Sequence, residues 1–170
     1  MERENLFVPG KEAYVRRRVG RPAGKCILCA LAARDPDVIS LELARASGFL
    51  VSLNLYPYNP GHVMVFPARH VEDPRELTDE EAAVLHGLQK VALDVLNRVY
   101  EPAGFNIGYN LGNAAGASIP HLHLHIVPRY ANELGVMEIL SGAKILIEDP
   151  RVTQNRLRQA FDQELEKSRG

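Results

Sequence analysis

No run of this 170-residue chain approaches the roughly 20 consecutive apolar residues that a helix needs to cross a bilayer, so no membrane association is expected. The first residues, Met1-Glu2-Arg3-Glu4-Asn5, lack the apolar core of a signal peptide, and a cytoplasmic location follows as an expectation. Charge of either sign is in no excess: 20 Lys and Arg stand against 21 Asp and Glu, a formal net charge of −1. The positive field that grips long nucleic acid is therefore missing, although small anionic ligands need only local donors. Cysteine is scarce, with Cys26 and Cys29 the only two, and in a reducing compartment they are poor material for a structural disulfide. No internal repeat is found. The one basic run, Arg16-Arg17-Arg18 with Arg21 and Lys25, reads as a solvated arm.

Apolar residues make up 46% and charged residues 24%, a globular balance, and 170 residues suit one domain with its own core. Pro9-Gly10 and Gly20-Arg21-Pro22-Ala23-Gly24 break regular structure, which divides the chain into an arm at 1–25, a domain at 26–150 and a C-terminal helix and tail at 151–170. Loose alternation over 49–55 and a short apolar run over 61–66 predict an antiparallel pair joined by Tyr56-Pro57-Tyr58-Asn59-Pro60. Thr78 followed by Glu81 is a capping-box pattern, and Ala82, Leu85, Leu88, Val91, Leu96 and Val99 then recur at helical spacing, which predicts one long amphipathic helix over 79–100. Further strands are expected over 105–110 and 119–127, with Gly112 to Gly116 forming a tight loop between them. Weaker segments follow at 136–140 and 143–147, and a terminal helix at 152–166. A helix against a mostly antiparallel sheet is an α+β arrangement.

His121, His123 and His125 alternate with Leu122, Leu124 and Ile126, so on a strand the three imidazoles share one face and the aliphatic chains the other. Stability alone gives little reason to build such a face. Two chemistries compete for it: a metal held by the histidines that activates water, or a neutral imidazole that attacks phosphorus directly. The segment from Asn110 to Ser118 supplies an amide, two glycines that allow close backbone approach and a hydroxyl, all donors for phosphate oxygens, which favours the second. A metal oxygenase would want a carboxylate soon after His-x-His, and the nearest, Glu133, lies beyond Pro128. Cys26-Ile27-Leu28-Cys29 has the spacing of half a zinc site. On its own it is ambiguous: two reduced thiols are an alternative, and a redox pair would want a strand before Cys26 that the broken arm does not supply.

His121-Leu122-His123-Leu124-His125-Ile126-Val127 resembles the signature of the histidine triad family of nucleotide hydrolases and transferases. Asn59-Pro60-Gly61-His62 and the apolar strand after it look like that family's second hallmark. The resemblance runs from about Cys26 to Tyr130. It implies the histidine triad fold, a central antiparallel sheet of about five strands with a long amphipathic helix and a C-terminal helix, and a homodimer, since members commonly pair their sheets.

Position by position, the resemblance makes His123 the nucleophile on an α-phosphorus, with its other ring nitrogen donating to a carbonyl. His125 and Ser118 would bind phosphate or help the leaving group, and His62 would line the same pocket. Asn110, Gly116 and the amides after Asn110 would stabilise developing charge, and Asn54 would hold the ribose. Ala117 departs from the family's usual glutamine. Members with an N-terminal C-x-x-C imply a structural zinc on Cys26, Cys29, His70 and His121, with no organic cofactor. Among the family's branches, Gly104 to Asn110 and Val127-Pro128-Arg129-Tyr130 look most like the enzymes that cleave diadenosine polyphosphates, with adenine nucleotides as ligands. A phosphoramidate hydrolase or a nucleotide-binding module remains the alternative.

Overall fold

The computed structural model describes residues 26–131 and 149–167. The arm at 1–25 and the weak segments at 136–140 and 143–147 lie outside them. In chain order the described elements are α1 (Ile27–Ala32), β1 (Glu42–Ala46), β2 (Phe49–Leu53), β3 (Val63–Pro67), α2 (Asp79–Tyr100), β4 (Gly104–Gly108), β5 (Leu124–Arg129) and α3 (Pro150–Lys167). The five strands form one sheet in the order β1-β2-β3-β5-β4, antiparallel at every joint.

Strands β2 and β3 are buried along their whole length because both faces of the sheet are covered. Alternation decides which side chain goes to which cover. Phe49, Val51 and Leu53, with Val63, Val65, Leu124 and Ile126, pack against Leu85, Leu88 and Leu96 of α2 and Leu157 and Phe161 of α3. Leu50, Met64 and Phe66 face the opposite way, where Leu28 and Leu31 of α1 and Val38 meet them. His125 pairs with Met64 across the β3–β5 joint and so belongs to this second face.

The long helix begins and ends where its capping pattern predicts. The Thr78 side chain accepts from the Glu81 N–H, and the Glu81 carboxylate reaches back to the Thr78 N–H. The last strand differs from expectation: it starts at Leu124 rather than near 119, so of the three histidines only His125 lies on it. The Leu122 N–H is drawn to the Val71 carbonyl instead, which turns the segment before Leu124 away from β3.

Two elements were not expected. Glu42-Leu43-Ala44-Arg45-Ala46 is rich in helix formers, yet it makes edge strand β1 with a register shift between Glu42 and Ala44. The Glu42 carbonyl accepts from Gln154 at 3.0 Å and Arg158 at 2.7 Å on α3, so the terminal helix satisfies the irregular edge. Helix α1, six residues long, was too short to register as a periodicity.

Gly61, just before His62, has φ +76, and a Cβ there would lie 2.9 Å from the Tyr100 ring. Gly61→Ala therefore combines left-handed strain with a clash and is expected to destabilise by about 1–3 kcal/mol, a fall of several degrees in Tm. Calorimetric unfolding of the two proteins checks this, and a Tm unchanged within a degree would contradict it.

Candidate active site and metal centre

A cavity opens on the second face of the sheet. Its lining includes the polar residues His123, His125, Asn110, Ser118 and Asn54, the loop residue Gly116, the rings of Tyr56 and Tyr58, and the apolar Ile27, Leu28, Leu31 and Val38. Polar and apolar groups share one cavity. The structure thus gathers at one cavity the residues expected to bind substrate.

His123 is only 5% exposed. Its Nδ1 lies 2.6 Å from the His121 carbonyl oxygen, which can only accept, so Nδ1 carries the hydrogen and a neutral ring has a bare Nε2. Burial lowers the His123 pKa from 6.5, against the carbonyl bond that favours the protonated ring, and so keeps it neutral.

The second pair of rings can be assigned in the same way. The Tyr58 N–H donates to His62 Nδ1 at 3.1 Å, so the single hydrogen of neutral His62 sits on Nε2. That nitrogen is 3.0 Å from His125 Nδ1, which must therefore accept, and the hydrogen of neutral His125 is left on Nε2. The nucleophile candidate thus offers a lone pair and its neighbour, 4.6 Å away between ring centroids, offers a proton. His62 does not form the cavity wall as expected: it is 0% exposed and contacts His125 from behind, stacked on Tyr58 at 5.0 Å. The Asn54 Oδ1 accepts from the Tyr56 N–H at 3.0 Å, and its Nδ2 lies 3.4 Å from His62 Nε2, so Asn54 borders both the cavity and the buried imidazole.

The loop before the histidines also corrects an expectation. Gly112 and Gly116 both have positive φ, and the turn between them directs the N–H groups of Ala115 and Ala117 to the Gly112 carbonyl and that of Gly116 to the Asn113 carbonyl. Those three amides are engaged within the turn, and the side chains of Asn110 and Ser118 line the cavity beside it. Tyr56 and Tyr58, read from sequence only as part of a connection, are wall residues, and the Tyr58 N–H sets the His62 tautomer. No side-chain pattern signals a backbone donor, so this role could not be read in advance.

The three triad imidazoles do not converge on a point. His121 turns the other way: its Nδ1 is 3.3 Å from Cys26 Sγ and 3.5 Å from Cys29 Sγ, while Cys29 Sγ is 3.3 Å from His70 Nδ1. The four ligand atoms lie within 4.8 Å of one another. Zinc at ~2.3 Å from sulfur and ~2.0 Å from nitrogen has tetrahedral S···N edges of about 3.5 Å, so the donor set fits. Each histidine also turns its outer nitrogen to a supporting acceptor, His121 to the Pro67 carbonyl at 2.9 Å and His70 to Glu72 at 3.3 Å, the usual second layer of a metal site. Burial holds His121 down to about 4, hence neutral and able to ligate. Burial and then Cys26 push the Cys29 thiol up to about 11, and a cation between the sulfurs is what would let both ionise. His86 is exposed on α2 and belongs to neither site.

A five-stranded antiparallel sheet bearing two assigned histidine tautomers at one cavity defines a protein of the histidine triad class. The chain belongs to that family: a family model for the HIT domain matches residues 42–132. It is 43% identical over 122 residues to an AP-4-A phosphorylase of Mycobacterium tuberculosis, covering 71% of this chain and 63% of that protein, so the match spans less than two thirds of the relative. It is 39% identical over 77 residues to a bis(5'-nucleosyl)-tetraphosphatase (asymmetrical) of Schizosaccharomyces pombe, covering 45% and 42% of the two chains. Among solved structures, a Zn-bound histidine triad family protein of Mycobacterium smegmatis superposes with a TM-score of 0.69 at 25% identity, covering 86% of this chain and 99% of that one.

His121 and His123 both have lowered pKa values, so between pH 6.5 and about 4 the unfolded chain binds more protons than the folded one. Stability is expected to fall as pH drops through that window. Urea midpoints at pH 7.5, 6 and 5 check this; a midpoint that stays level would show that these burials do not persist in solution.

Proposed function

We propose that the chain is a nucleotidyl hydrolase or transferase that cleaves the α-phosphate bond of dinucleoside polyphosphates, such as diadenosine tetraphosphate, through a nucleotidyl-histidine intermediate on His123. The observation that carries this reading is the 2.6 Å bond from His123 Nδ1 to the His121 carbonyl, which leaves a bare Nε2 on a ring that lines the cavity. The names of the mycobacterial and yeast relatives support it.

In the first step the Nε2 lone pair forms a P–N bond and the P–O bond to the polyphosphate breaks. The His125 Nε2 hydrogen goes to the leaving oxygen, in the direction set by His62 and Tyr58. Asn110 and Ser118 hold the phosphoryl oxygens, beside Gly116, whose φ of +85 favours glycine, and Asn54 holds the ribose. The apolar lining residues Ile27, Leu28, Leu31 and Val38 receive adenine. In the second step water or inorganic phosphate displaces the histidine, whose Nε2 leaves with its lone pair, and the proton of the attacking oxygen returns to His125 Nε2.

Zinc on Cys26, Cys29, His70 and His121 is structural on this reading: four protein ligands leave no open position for water. Both thiols stay reduced in the cytoplasm we assign to the protein, and no nucleic-acid or membrane partner is assigned. No helix among the described residues is long and apolar enough to cross a membrane.

Chromatography of the products from diadenosine tetraphosphate tests the chemistry. AMP with ATP in the absence of phosphate identifies a hydrolase, ADP with ATP only in its presence a phosphorylase, and His123→Ala should abolish either while retaining nucleotide binding. The acid limb of kcat/KM should fall below pH 6.5, because His123 is harder to protonate than a free imidazole. Turnover that survives His123→Ala rules the covalent route out. No turnover by wild type redirects the reading to nucleoside phosphoramidates, then to a binding module.

We also propose a homodimer through β4, which pairs only with β5 among the described residues and exposes 42% of Ile107. Sedimentation equilibrium should give twice the chain mass for wild type and the chain mass for Ile107→Lys. A monomeric wild type disposes of the idea.

A further inference from the structure

The short helix α1 presents opposite faces to two sites. Cys26 and Cys29, three residues apart, send both sulfurs toward His70 and His121, while Ile27, Leu28 and Leu31, which helical spacing puts on the other side, line the cavity.

Little in the helix itself would hold it in place. Six residues are far below the ~12–15 that sustain an isolated helix. Its N-cap, Cys26, makes no side-chain capping bond, and its first turn has no acid. The cluster beneath it, Leu28, Ala30 and Leu31 on Val38, Leu50, Met64 and Phe66, is much smaller than the core under α2 and α3. The two ends are tied differently. Arg45 of β1 donates to the Ala32 carbonyl at 2.8 Å at the C-terminal end, whereas at the N-terminal end the cysteines reach His70 beyond β3 and His121 before β5. Losing the metal would release one end of the helix and leave the other tethered.

We infer that the metal centre governs the affinity of the cavity for nucleotides by fixing α1 as the wall against which the base packs. The inference rests on the nucleotide reading and deepens it. The imidazoles are not the route: His62 and His125 are held by one another and by the Tyr58 N–H, and His121, whose carbonyl holds His123, keeps its Nε2 bond to the Pro67 carbonyl at 2.9 Å without the metal. Metal loss acts instead on apolar contact with the base, which is lost when Ile27, Leu28 and Leu31 move.

The test is isothermal titration of AMP into the full chain in four forms: zinc-loaded wild type, wild type stripped with a chelator, Cys29→Ala and Ile27→Ala. Elemental analysis establishes the zinc content of each, and hydrogen exchange on the same samples reports where the structure opens. Stripped protein and Cys29→Ala should bind AMP roughly ten-fold or more weakly, with exchange faster over 26–32 and unchanged over β2, β3 and β5, and zinc should restore the stripped form. Ile27→Ala should keep one zinc per chain and still bind AMP more weakly. An affinity indifferent to zinc, or exchange that rises across the whole sheet, overturns the inference: the first removes the coupling, and the second makes the metal a staple of the entire fold. If zinc-loaded wild type binds no AMP, the nucleotide reading itself fails and takes this one with it, an outcome distinct from equal binding by all four forms.

Discussion

An extended chain turns successive side chains to opposite faces, and the arrangement of this molecule depends on that alternation along 124–126. Leu124 and Ile126 go down into the helix-backed core, and His125 goes up into the cavity against Met64 of the next strand. Moving the register by one residue would put His125 among Leu88, Leu96 and Phe161 and an aliphatic chain in the site. The buried helix face therefore enforces the placement of the catalytic candidate: the apolar area under α2 and α3 stabilises one register only, and the chemistry on the other face inherits it.

The residues just before these separate two kinds of nitrogen chemistry. At His121 the side chain belongs to the cysteine cluster while the carbonyl belongs to His123. One residue thus borders both sites, and they remain distinct because the Leu122 N–H is bonded to Val71 and the backbone leaves the strand direction before Leu124. Had the strand run on through 119, all three rings would have shared a face, as a single catalytic metal would require.

Much of this was legible in the residues. The capping box at Thr78 and the 3.6-residue spacing defined α2 to the residue, and alternation defined β2 and β3 to within two. The cysteine and histidine ligands, implied by resemblance, do meet. What escaped was information that no side-chain pattern holds. β1 has the composition of a helix and is a strand because β2 pairs with it and α3 satisfies its irregular edge. The amides of the Gly112–Gly116 turn could be donors to a ligand or to one another, and only the φ angles at the two glycines decide. The burial of His62 depends on the Tyr58 N–H, a backbone group common to any sequence there.

The two covers of the sheet differ in how they are held, and this difference divides labour. The α2–α3 side is a large apolar core closed by cross-helix ties such as Arg98 to Glu164 at 2.6 Å; the exposed pair adds little, so the stability lies in the burial. The α1 side is a thin layer over a cavity that must admit a ligand, and a tightly packed cover there would fill the space the ligand needs. A coordination site would resolve that conflict: a metal held by Cys26, Cys29, His70 and His121 would fix the position of a short helix through directional bonds without occupying apolar volume, so the wall could be both well placed and poorly packed. A larger hydrophobic cluster would supply the stability but would close the cavity, a physical reason for cysteines rather than leucines at 26 and 29.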